Sequence, residues 1–489
     1  MISPRDIGDR HERPVAGLGD HGGIVVRLST GPLTRRADQL IVACLINLLC
    51  RMTGSVGVIE LDSPSAELRI PLADGQGPGP VFERMKAFAN WAVGDAVKVV
   101  RRSSLVPNYT ISVGAALPSN SADLYVTGAG WIAWIGTETP ITELTDGPNP
   151  IGPWFAASLA AGEVFKRARG LSRGRFALSD EGYDLWDGRT GPLKSLTEGP
   201  SLKGHTLPPF ILVGAGAVGQ GIIALLGVSK ISTFVVTIDD DAHDGTNLNR
   251  CFVAGTEDVE HPKVNAVARY RSITELPGVE FEGTLQRFVQ HGPLDDMPEA
   301  MRLAQLDDSF EVIFSAVDKN TSRWDVQGLK PHLVIGGSTD QLTAKAMTYG
   351  AQTDGPCLAC HNPREEDGAR RRELEQRIRG LDEVKARAFL TDLGIDPEEI
   401  DAVLDYLRNE PVCGSVGDRV LGKLAGSSTG EFSVSFVSMA AAVLALVRLL
   451  QATTLKDGAP ARKVMSSIAF RNLSYSDDGL SRDLSCPMC

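Results

Sequence analysis

Four cysteines stand in two short pairs, and their spacing is typical of a metal site. Cys357-Leu-Ala-Cys360 and Cys486-Pro-Met-Cys489 each separate two thiols by two residues. One tight turn can direct two thiolates at one ion, and two such pairs complete the tetrahedral shell that structural zinc prefers. His361 also completes the CxxCH pattern of haem attachment, but no export signal accompanies it. We therefore predict a structural Zn²⁺ site with these four cysteines as ligands.

A glycine-rich turn and an acid form the second arrangement with chemical potential. The turn, Gly214-Ala-Gly216-Ala-Val-Gly219, follows an apolar run, and Asp239 ends the next predicted strand. Glycines at such a turn let the backbone approach a nucleotide phosphate closely, and an acid at this place binds ribose hydroxyls. The pattern predicts a nucleotide site, and on its own it fits NAD as well as ATP.

The residues that follow Asp239 favour ATP. Asn247-Leu-Asn-Arg250 and Lys263 supply groups that a dehydrogenase does not need, whereas they would neutralise the phosphates of a nucleoside triphosphate. Asp318 ends another strand-like run, and a carboxylate beside phosphate oxygens suits Mg²⁺. ATP and Mg²⁺ are thus the predicted cofactors. The predicted nucleotide-site residues are Gly214, Gly216, Gly219, Asp239, Asn247, Arg250, Lys263 and Asp318.

Two other glycine patterns are set aside. Gly128-Ala-Gly130-Trp-Ile-Ala133 has bulky tryptophans in the turn and no ribose acid after a second strand, so a structural role is predicted. The segment from Gly417 to Leu424 matches a phosphate-binding P-loop until its last position, where Leu424 replaces the Ser or Thr that binds magnesium.

The elements that must position these residues alternate between strands and helices. Pro209–Gly216, Thr233–Ile238 and Glu311–Asp318 are strand-like, and a helix is predicted at about Val218–Leu226. Strands that alternate with helices in this way argue for an α/β fold with a parallel sheet.

A second α/β unit is predicted in the first 170 or so residues. It includes helices at Arg36–Met52 and Asn149–Gly170, and a Gly/Pro/Ser-rich stretch at about Leu171–Pro209 predicts a linker after it. Residues 364–409 are strongly polar and predict a helical insertion, whereas Phe432–Gln451 predicts a buried helix.

Composition excludes several classes of protein. The 489 residues predict about three domains or two large ones, and 43% hydrophobic and 22% charged residues are typical of folded globular proteins. The net charge is −12 and no run of five like charges occurs, which argues against nucleic acid as a partner. No apolar stretch reaches the roughly 20 residues that a bilayer span needs, and no targeting segment is recognisable at the N-terminus. A cytoplasmic protein is therefore expected, with no membrane partner.

The motifs together resemble the E1-like adenylating enzymes, the family that activates ubiquitin-like proteins and includes the bacterial ThiF and MoeB enzymes. The matching pieces are GAGAVG, the acid-rich strand end, TNLNR, HPK and SAVDKNTSR, within about Pro208–Asn362. The resemblance implies a Rossmann-like adenylation domain in which a C-terminal carboxylate attacks the α-phosphate of ATP. It implies that Asp239 binds the ribose, that Asp318 binds Mg²⁺, and that zinc occupies the cysteine site. The residues implied to contact the phosphates are Asn247, Arg250 and Lys263.

The remaining cysteines receive separate interpretations. Cys44 and Cys50 lie in an apolar segment and are predicted core residues, and Cys251 stands where many family members carry Gln. Cys413 follows Pro411 in a glycine-rich segment between the first CxxC and the return helix. The resemblance places the thioester-forming nucleophile of activating enzymes there, and a structural thiol is the alternative. With Cys413, the predicted catalytic residues are Arg250 and Asp318.

The resemblance extends loosely to the first domain, which is similar to the inactive adenylation-like half of longer activating enzymes. It implies that an arginine from a neighbouring half or subunit completes the ATP site, with Arg5, Arg10, Arg13, Arg35 and Arg36 as candidates. The predicted layout is an inactive adenylation-like domain with linker (1–200), an active adenylation domain (201–363), a helical insertion with the catalytic cysteine (364–431), and a zinc-binding end (432–489).

This layout resembles the activating enzymes of bacterial antiphage conjugation operons of the Bil and Bub type. It implies adenylation of a ubiquitin-like protein, a Cys413 thioester and transfer to an E2-like conjugating enzyme, with a homodimer as a further possibility. One alternative is an adenylating enzyme that passes its adenylate to a sulfur donor or an amine without a thioester. Another is a nucleotide-binding scaffold or an NAD-dependent oxidoreductase.

Overall fold

The structure is a computed structural model of the 489-residue chain. It describes residues 23–114, 122–140, 144–171, 174–306, 310–350, 356–362, 377–378, 380–392, 395, 397, 399–401, 403–404, 434–455, 465–483 and 486–488.

The N-terminal unit is built on an eight-stranded sheet. Its strands are β1 (Ile24–Thr30), β2 (Val56–Asp62), β5 (Lys98–Val100), β6 (Tyr109–Val113), β7 (Leu124–Ala129), β8 (Ile132–Gly136), β9 (Glu181–Asp184) and β10 (Arg189–Gly191), while β3 (Glu67–Leu68) and β4 (Gly79–Pro80) pair separately. Its helices are α1 (Arg36–Cys50), α2 (Val81–Val93) and α3 (Ile151–Ala168). The strand order is β5-β2-β1-β6-β7-β8-β9-β10, parallel from β5 to β7 and antiparallel beyond.

The C-terminal unit is built on a second eight-stranded sheet. Its strands are β11 (Phe210–Val213), β12 (Val235–Asp239), β13 (Gly278–Glu282), β14 (Val312–Ser315), β15 (Leu333–Asp340), β16 (Thr343–Gly350), β17 (Met465–Ala469) and β18 (Ser474–Asp478). Its helices are α4 (Ala217–Ser229), α5 (Lys263–Thr274), α6 (Leu285–His291), α7 (Glu299–Leu306), α8 (Asn320–Gly328), α9 (Glu383–Asp392) and α10 (Ser435–Ala452). The strand order is β13-β12-β11-β14-β15-β16-β17-β18, parallel from β13 to β15.

The two sheets share one topology. In each, the second and third strands extend from the first strand towards one edge, and the fourth to eighth strands extend towards the other. A long buried helix also separates the sixth strand from the seventh in both, α3 in the first unit and α10 in the second. The sequence prediction of an N-terminal unit that resembles an adenylation domain agrees with this topology.

The two units pack through these long helices. The rings of Phe165 in α3 and Phe436 in α10 lie 5.6 Å apart, and Phe436 is 4.9 Å from Phe470. Gly162 allows this approach, because a Cβ atom there would come within 2.6 Å of the Phe470 ring. Residues of both units therefore share one continuous hydrophobic core.

One helix in the described part of the chain, Ser435–Ala452, is long and apolar enough to cross a membrane by length and composition alone. In the structure, 94% of that window is buried inside the protein. The helix is apolar all round because it packs against α3, α4 and the second sheet, which is the environment of a core helix.

Most predicted elements are present in the structure. The helices predicted at Arg36–Met52, Asn149–Gly170 and Phe432–Gln451 correspond to α1, α3 and α10. The stretch Leu171–Pro209, predicted as a linker, instead contributes β9 and β10 to the first sheet. Those strands are short and polar, so pairing with β8 rather than apolar periodicity determines them.

The glycine pattern from Gly128 to Ala133 is structural, as predicted. It forms the turn between β7 and β8, with Gly130 at φ +58 and with Trp131 and Trp134 buried. A Cβ atom at Gly152 would come within 2.2 Å of the Ile132 carbonyl oxygen, so this part of the chain is closely packed rather than open to a ligand.

Candidate functional site

The glycine turn connects β11 to α4. Gly214 has φ +102, a conformation that side chains disfavour, and a Cβ atom there would lie 2.7 Å from the Ala316 carbonyl oxygen. At Gly219 a Cβ atom would lie 2.0 Å from the Gly214 carbonyl oxygen. At Gly216 it would meet nothing within 4 Å. Two glycines are thus required by packing, while Gly216 faces open space at the N-terminus of α4, where backbone N–H groups favour an anion.

Asp239 holds this turn from the end of β12. The Ala215 N–H donates to Asp239 Oδ2 at 2.6 Å, and the Asp241 N–H donates to Asp239 Oδ1 at 2.9 Å. Burial raises the pKa of the Asp239 carboxyl, and the positive charge of Lys263 acts in the opposite direction. The carboxylate therefore lies beside the glycine turn, where the ribose of a nucleotide at that turn would lie.

Lys263 begins α5 and points back at the same strand end. Its Nζ lies 2.8 Å from Asp241 Oδ2, and its side chain is only 14% exposed. Burial alone would lower the pKa of Lys263, but the negative charges of Asp239 and Asp241 raise it above its ordinary value. The ammonium group is therefore held in its charged form at the end of β12.

Asn247 and Arg250 are positioned by a 3₁₀ helix at Gly245–Asn249. Asp244 caps this helix, since its Oδ1 accepts the Asn247 N–H at 3.1 Å. Arg250 Nη1 donates to the Thr246 carbonyl oxygen at 2.8 Å and to Asn249 Oδ1 at 2.9 Å. The guanidinium group is thus oriented by its own loop.

Asp318 follows β14, on the other side of β11. The Ala316 N–H donates to the Val213 carbonyl oxygen at 2.9 Å, so the Asp318 segment lies directly against the glycine turn. Asp318 itself is exposed. The next helix is held by Arg323, which donates to the Val317 carbonyl oxygen at 3.0 Å and to Asn320 Oδ1 at 2.5 Å.

These residues meet at the carboxyl ends of parallel strands, between β11 and β14, where the strand order switches from one side of β11 to the other. Open α/β sheets bind ligands in the crevice at such a point. Charged residues of this edge also act on the buried Cys251 thiol. Burial raises its pKa, the charges of Arg250 and Lys263 lower it, and Asp239 raises it further. The structure therefore brings the predicted nucleotide residues to one edge.

Gln220 and His243 belong to this site but were not predicted. Gln220 Nε2 donates to the Ala215 carbonyl oxygen at 3.0 Å and lies 3.1 Å from His243 Nε2, while its Oε1 accepts the Val253 N–H at 3.2 Å. Burial lowers the pKa of His243 to about 4, so the ring is neutral. The signal in the sequence is that Gln220, a polar residue, directly follows the glycine turn within an apolar helix.

Three of the four predicted zinc ligands form a cluster. Cys357 Sγ lies 3.6 Å from Cys486 Sγ and 3.8 Å from Cys360 Sγ, and all three sulfurs lie within 4.8 Å of one another. Sulfurs bound to one tetrahedral zinc at about 2.3 Å would be about 3.8 Å apart, so the cluster fits that ion. The Leu358 N–H donates to Gln327 Oε1 at 2.9 Å, which fixes the turn on α8. Cys489 lies outside the described residues.

Residues 209–476 match the ThiF family, and this range is more than half of the chain. The chain belongs to the ThiF family. Residues 23–178 match a second family, described as the BilD N-terminal domain. The ThiF region begins just before β11 and therefore contains the whole glycine turn and its surrounding loops.

Two known relatives resemble this ThiF-family chain over part of its length. The sulfur carrier protein ThiS adenylyltransferase of Escherichia coli is 24% identical over 142 residues, 29% of this chain and 50% of the relative. The NEDD8-activating enzyme E1 catalytic subunit of Saccharomyces cerevisiae is 26% identical over 177 residues, 32% of this chain and 57% of the relative. The chain thus spans about half the length of these relatives.

The solved structures that match this chain include E. coli MccB with ATP. The match has 15% sequence identity and a TM-score of 0.33, and it covers 59% of this chain and 67% of the MccB chain. The same enzyme with N-formylated MccA also has a TM-score of 0.33, at 15% identity, covering 59% and 68%. The overall likeness to both is low.

Other predicted residues of the ThiF-family chain either lie outside the described residues or are found elsewhere in the structure. Cys413 and the P-loop-like segment at 417–424 lie outside the described residues, as do Arg5, Arg10 and Arg13. Cys44, Cys50 and Cys251 are buried, so the core role predicted for the first two holds. Arg36 Nη2 donates to the Val228 carbonyl oxygen at 2.9 Å, near the C-terminal end of α4 and about 18 Å along that helix from the glycine turn.

In the first unit, the turn between β1 and α1 corresponds to the glycine turn between β11 and α4, but side chains fill it. Leu33 has φ +48 there and is only 3% exposed, and its carbonyl oxygen accepts a hydrogen bond from Gln39 Nε2 at 3.0 Å. Arg35 is engaged locally with Asp38 at 3.4 Å and with the Leu144 carbonyl oxygen at 2.9 Å. A buried leucine therefore occupies the place where the second unit has open glycine backbone.

Proposed function

We propose that this protein adenylates the C-terminal carboxylate of a ubiquitin-like protein at the expense of ATP. The observation that carries the proposal is the convergence of open glycine backbone, Asp239 and Asp318 at one sheet edge in a ThiF-family chain. In the reaction, a carboxylate oxygen attacks the α-phosphorus. The bond to the β-phosphate breaks, and an acyl-adenylate and pyrophosphate form.

Each residue of the site has a role in this proposal. Asp239 receives the ribose hydroxyls, and the backbone at Gly216 receives a phosphate. Arg250 and Lys263 neutralise phosphate charge as it shifts towards the departing pyrophosphate, and Asn247 donates a further hydrogen bond. Mg²⁺ would be held by Asp318 together with phosphate oxygens, and it would supply further charge neutralisation when bound.

Transfer through a thioester is the finer part of the proposal. The Cys413 thiolate would attack the adenylate carbonyl, form a thioester and release AMP, and an E2-like enzyme would then accept the protein. The match to the BilD N-terminal domain supports this version, as does partial similarity to a NEDD8-activating subunit. Zinc would be a structural ion held by Cys357, Cys360, Cys486 and Cys489.

A second candidate function is adenylation without an enzyme thioester, with the adenylate passed to a sulfur donor or an amine. The partial similarity to a sulfur carrier adenylyltransferase favours it. The two functions share the nucleotide site and differ only in the use of Cys413. A single substitution therefore separates them.

The experiment combines the protein with Mg·ATP and a ubiquitin-like protein that ends in a free glycine. Pyrophosphate release and a thiol-sensitive adduct on non-reducing gels are the two readouts. Asp318→Ala should remove both signals, whereas Asp325→Ala, at an exposed acid further along α8, should keep both.

Cys413→Ala should keep pyrophosphate release and lose the adduct, with Cys44→Ala as the matched control. If Cys413→Ala releases pyrophosphate as fast as the wild type and the wild type forms no adduct, the second candidate function is supported and the thioester step is wrong. Unchanged activity of Asp318→Ala would contradict the assigned metal site.

A further inference from the structure

Arg51 is a fully buried cation at the end of α1, in the N-terminal unit. Its guanidinium group reaches into the C-terminal unit. Nη1 donates to the Leu248 carbonyl oxygen at 2.8 Å, and Nη2 donates to the carbonyl oxygens of Ala254 at 2.8 Å and Phe252 at 3.1 Å. Its Nε donates to Asn47 Oδ1 at 2.6 Å. One side chain thus binds three backbone carbonyls of a single loop.

Other residues of the N-terminal unit hold the same loop. Asn47 Nδ2 donates to the Phe252 carbonyl oxygen at 3.1 Å, and the rings of Trp154 and Phe252 lie 5.0 Å apart. Trp91 covers Gly255, where a Cβ atom would lie 2.4 Å from the indole. The loop from Leu248 to Gly255 therefore rests on the N-terminal unit along its length.

This loop continues directly from the proposed phosphate-binding residues. Asn247 and Arg250 stand at its beginning, and the Val253 N–H donates to Gln220 Oε1 at 3.2 Å. Gln220 also holds the Ala215 carbonyl oxygen of the glycine turn. A change in the loop backbone would consequently move the groups that face the phosphates.

We propose that Arg51 is a positioning residue for ATP, acting through the Leu248–Ala254 backbone to hold Asn247 and Arg250 towards the β- and γ-phosphates. This inference rests on the proposed nucleotide site. The planar guanidinium offers five N–H donors in a fixed fork, so it can bind carbonyls at both ends of the loop simultaneously. An ammonium group at the same place cannot span them.

Through Arg51 the N-terminal unit takes part in ATP binding, even though Leu33 fills the turn between β1 and α1 in that unit. The loop that carries Asn247 and Arg250 belongs to one unit, and its backbone partners belong to the other. The nucleotide site is therefore shared between the units at the level of the loop's hydrogen bonds.

The test measures dissociation constants of Mg·ATP and of AMP by calorimetry on the full chain. Arg51→Lys should weaken ATP roughly tenfold, as for the loss of about one well-formed interaction, and should weaken AMP by less than about twofold. Asn47→Ser removes the Nε acceptor and the Nδ2 donor to the Phe252 carbonyl oxygen but keeps the guanidinium. It should shift the ATP-to-AMP affinity ratio in the same direction by roughly threefold.

Phe436→Leu is the control, because it weakens packing between α3 and α10 and leaves the loop contacts intact. It should lower the melting temperature without changing the affinity ratio. If Arg51→Lys and Asn47→Ser weaken ATP and AMP equally, or change neither, the positioning role is wrong. A wild-type chain that does not bind Mg·ATP would instead overturn the proposed function, and with it this inference.

Discussion

Gly219 lies so close to the carbonyl oxygen of Gly214 that a Cβ atom on Gly219 would come within 2.0 Å of that oxygen. The contact closes the turn between β11 and α4 on itself. Gly216, at the start of the same helix, has nothing within 4 Å of its Cβ position. Close packing therefore requires glycine at position 219, whereas at position 216 the packing would tolerate a side chain. Substitutions at the two positions should have different effects.

We expect Gly219→Ala to lower the free energy of unfolding by about 1–3 kcal/mol, because the backbone must move to accept the methyl group. Gly216→Ala should change stability by less than about 1 kcal/mol and weaken Mg·ATP binding roughly tenfold, because its methyl group enters the phosphate space. Urea unfolding and calorimetric titration of both variants measure these effects. Equal loss of stability in the two variants would show that Gly216 is also a packing residue.

Asp239→Asn should weaken Mg·ATP binding roughly ten- to a hundredfold. The substitution removes the charge and turns one of the two oxygens that accept backbone N–H groups into a donor. Fluorescence titration with an ATP analogue measures the change. Asp240→Asn, at the exposed neighbouring acid, is the matched control and should remain within about twofold of the wild type. A similar loss in both variants would indicate a general charge effect.

The sequence predicted the position of the glycine turn and of Asp239 in the fold because the signals for both are local. The glycine spacing and the acid at the end of β12 lie within 30 residues, and the strands around them are continuous apolar runs. Gly214 and Asp239 are consequently found where the pattern placed them.

Other features depend on contacts between distant parts of the chain. Arg51 stands at the end of an apolar helix, where a basic residue is ordinary, and its partner Leu248 is 197 residues away. The strand Glu181–Asp184 has almost no apolar residues and exists because β8 offers it hydrogen bonds. Neither feature has a local pattern from which it could have been predicted.

Substituting one of the proposed zinc ligands should abolish zinc binding. We expect Cys357→Ser to reduce zinc from about one ion per chain to a small fraction of that, and to lower the melting temperature by several degrees, because metal binding contributes to folding. Elemental analysis after gel filtration measures the first effect and calorimetry the second. Cys44→Ala alters a buried cysteine outside the cluster and should keep the zinc. Full zinc content in Cys357→Ser would refute the assignment.

His243 should make stability depend on pH. Burial lowers its pKa to about 4, below the value of 6.5 expected in the unfolded chain. Between these values the unfolded chain binds a proton that the folded chain does not. The contribution of His243 to the free energy of unfolding is therefore fully present above pH 6.5. It is lost as the pH falls towards 4, and the loss amounts to about 3 kcal/mol at most.

His243→Gln should lose this dependence, and urea unfolding at pH 7.5 and pH 5 measures it. Asp184, whose pKa is raised by burial to about 6, changes stability in the opposite direction. The wild type and His243→Gln both contain Asp184, so the difference between their pH profiles reports on His243 alone. Identical profiles would mean that the pKa of His243 is the same in the folded and the unfolded chain.

The cluster of Cys357, Cys360 and Cys486 has a consequence for how the protein is made. Cys357 and Cys486 are 129 residues apart, so on the order of ten seconds of ribosomal synthesis separates their appearance. During that interval the nascent chain holds Cys357 and Cys360 without Cys486. If the cluster binds zinc as proposed, the metal site is therefore completed only late in synthesis, after most of the chain has been made.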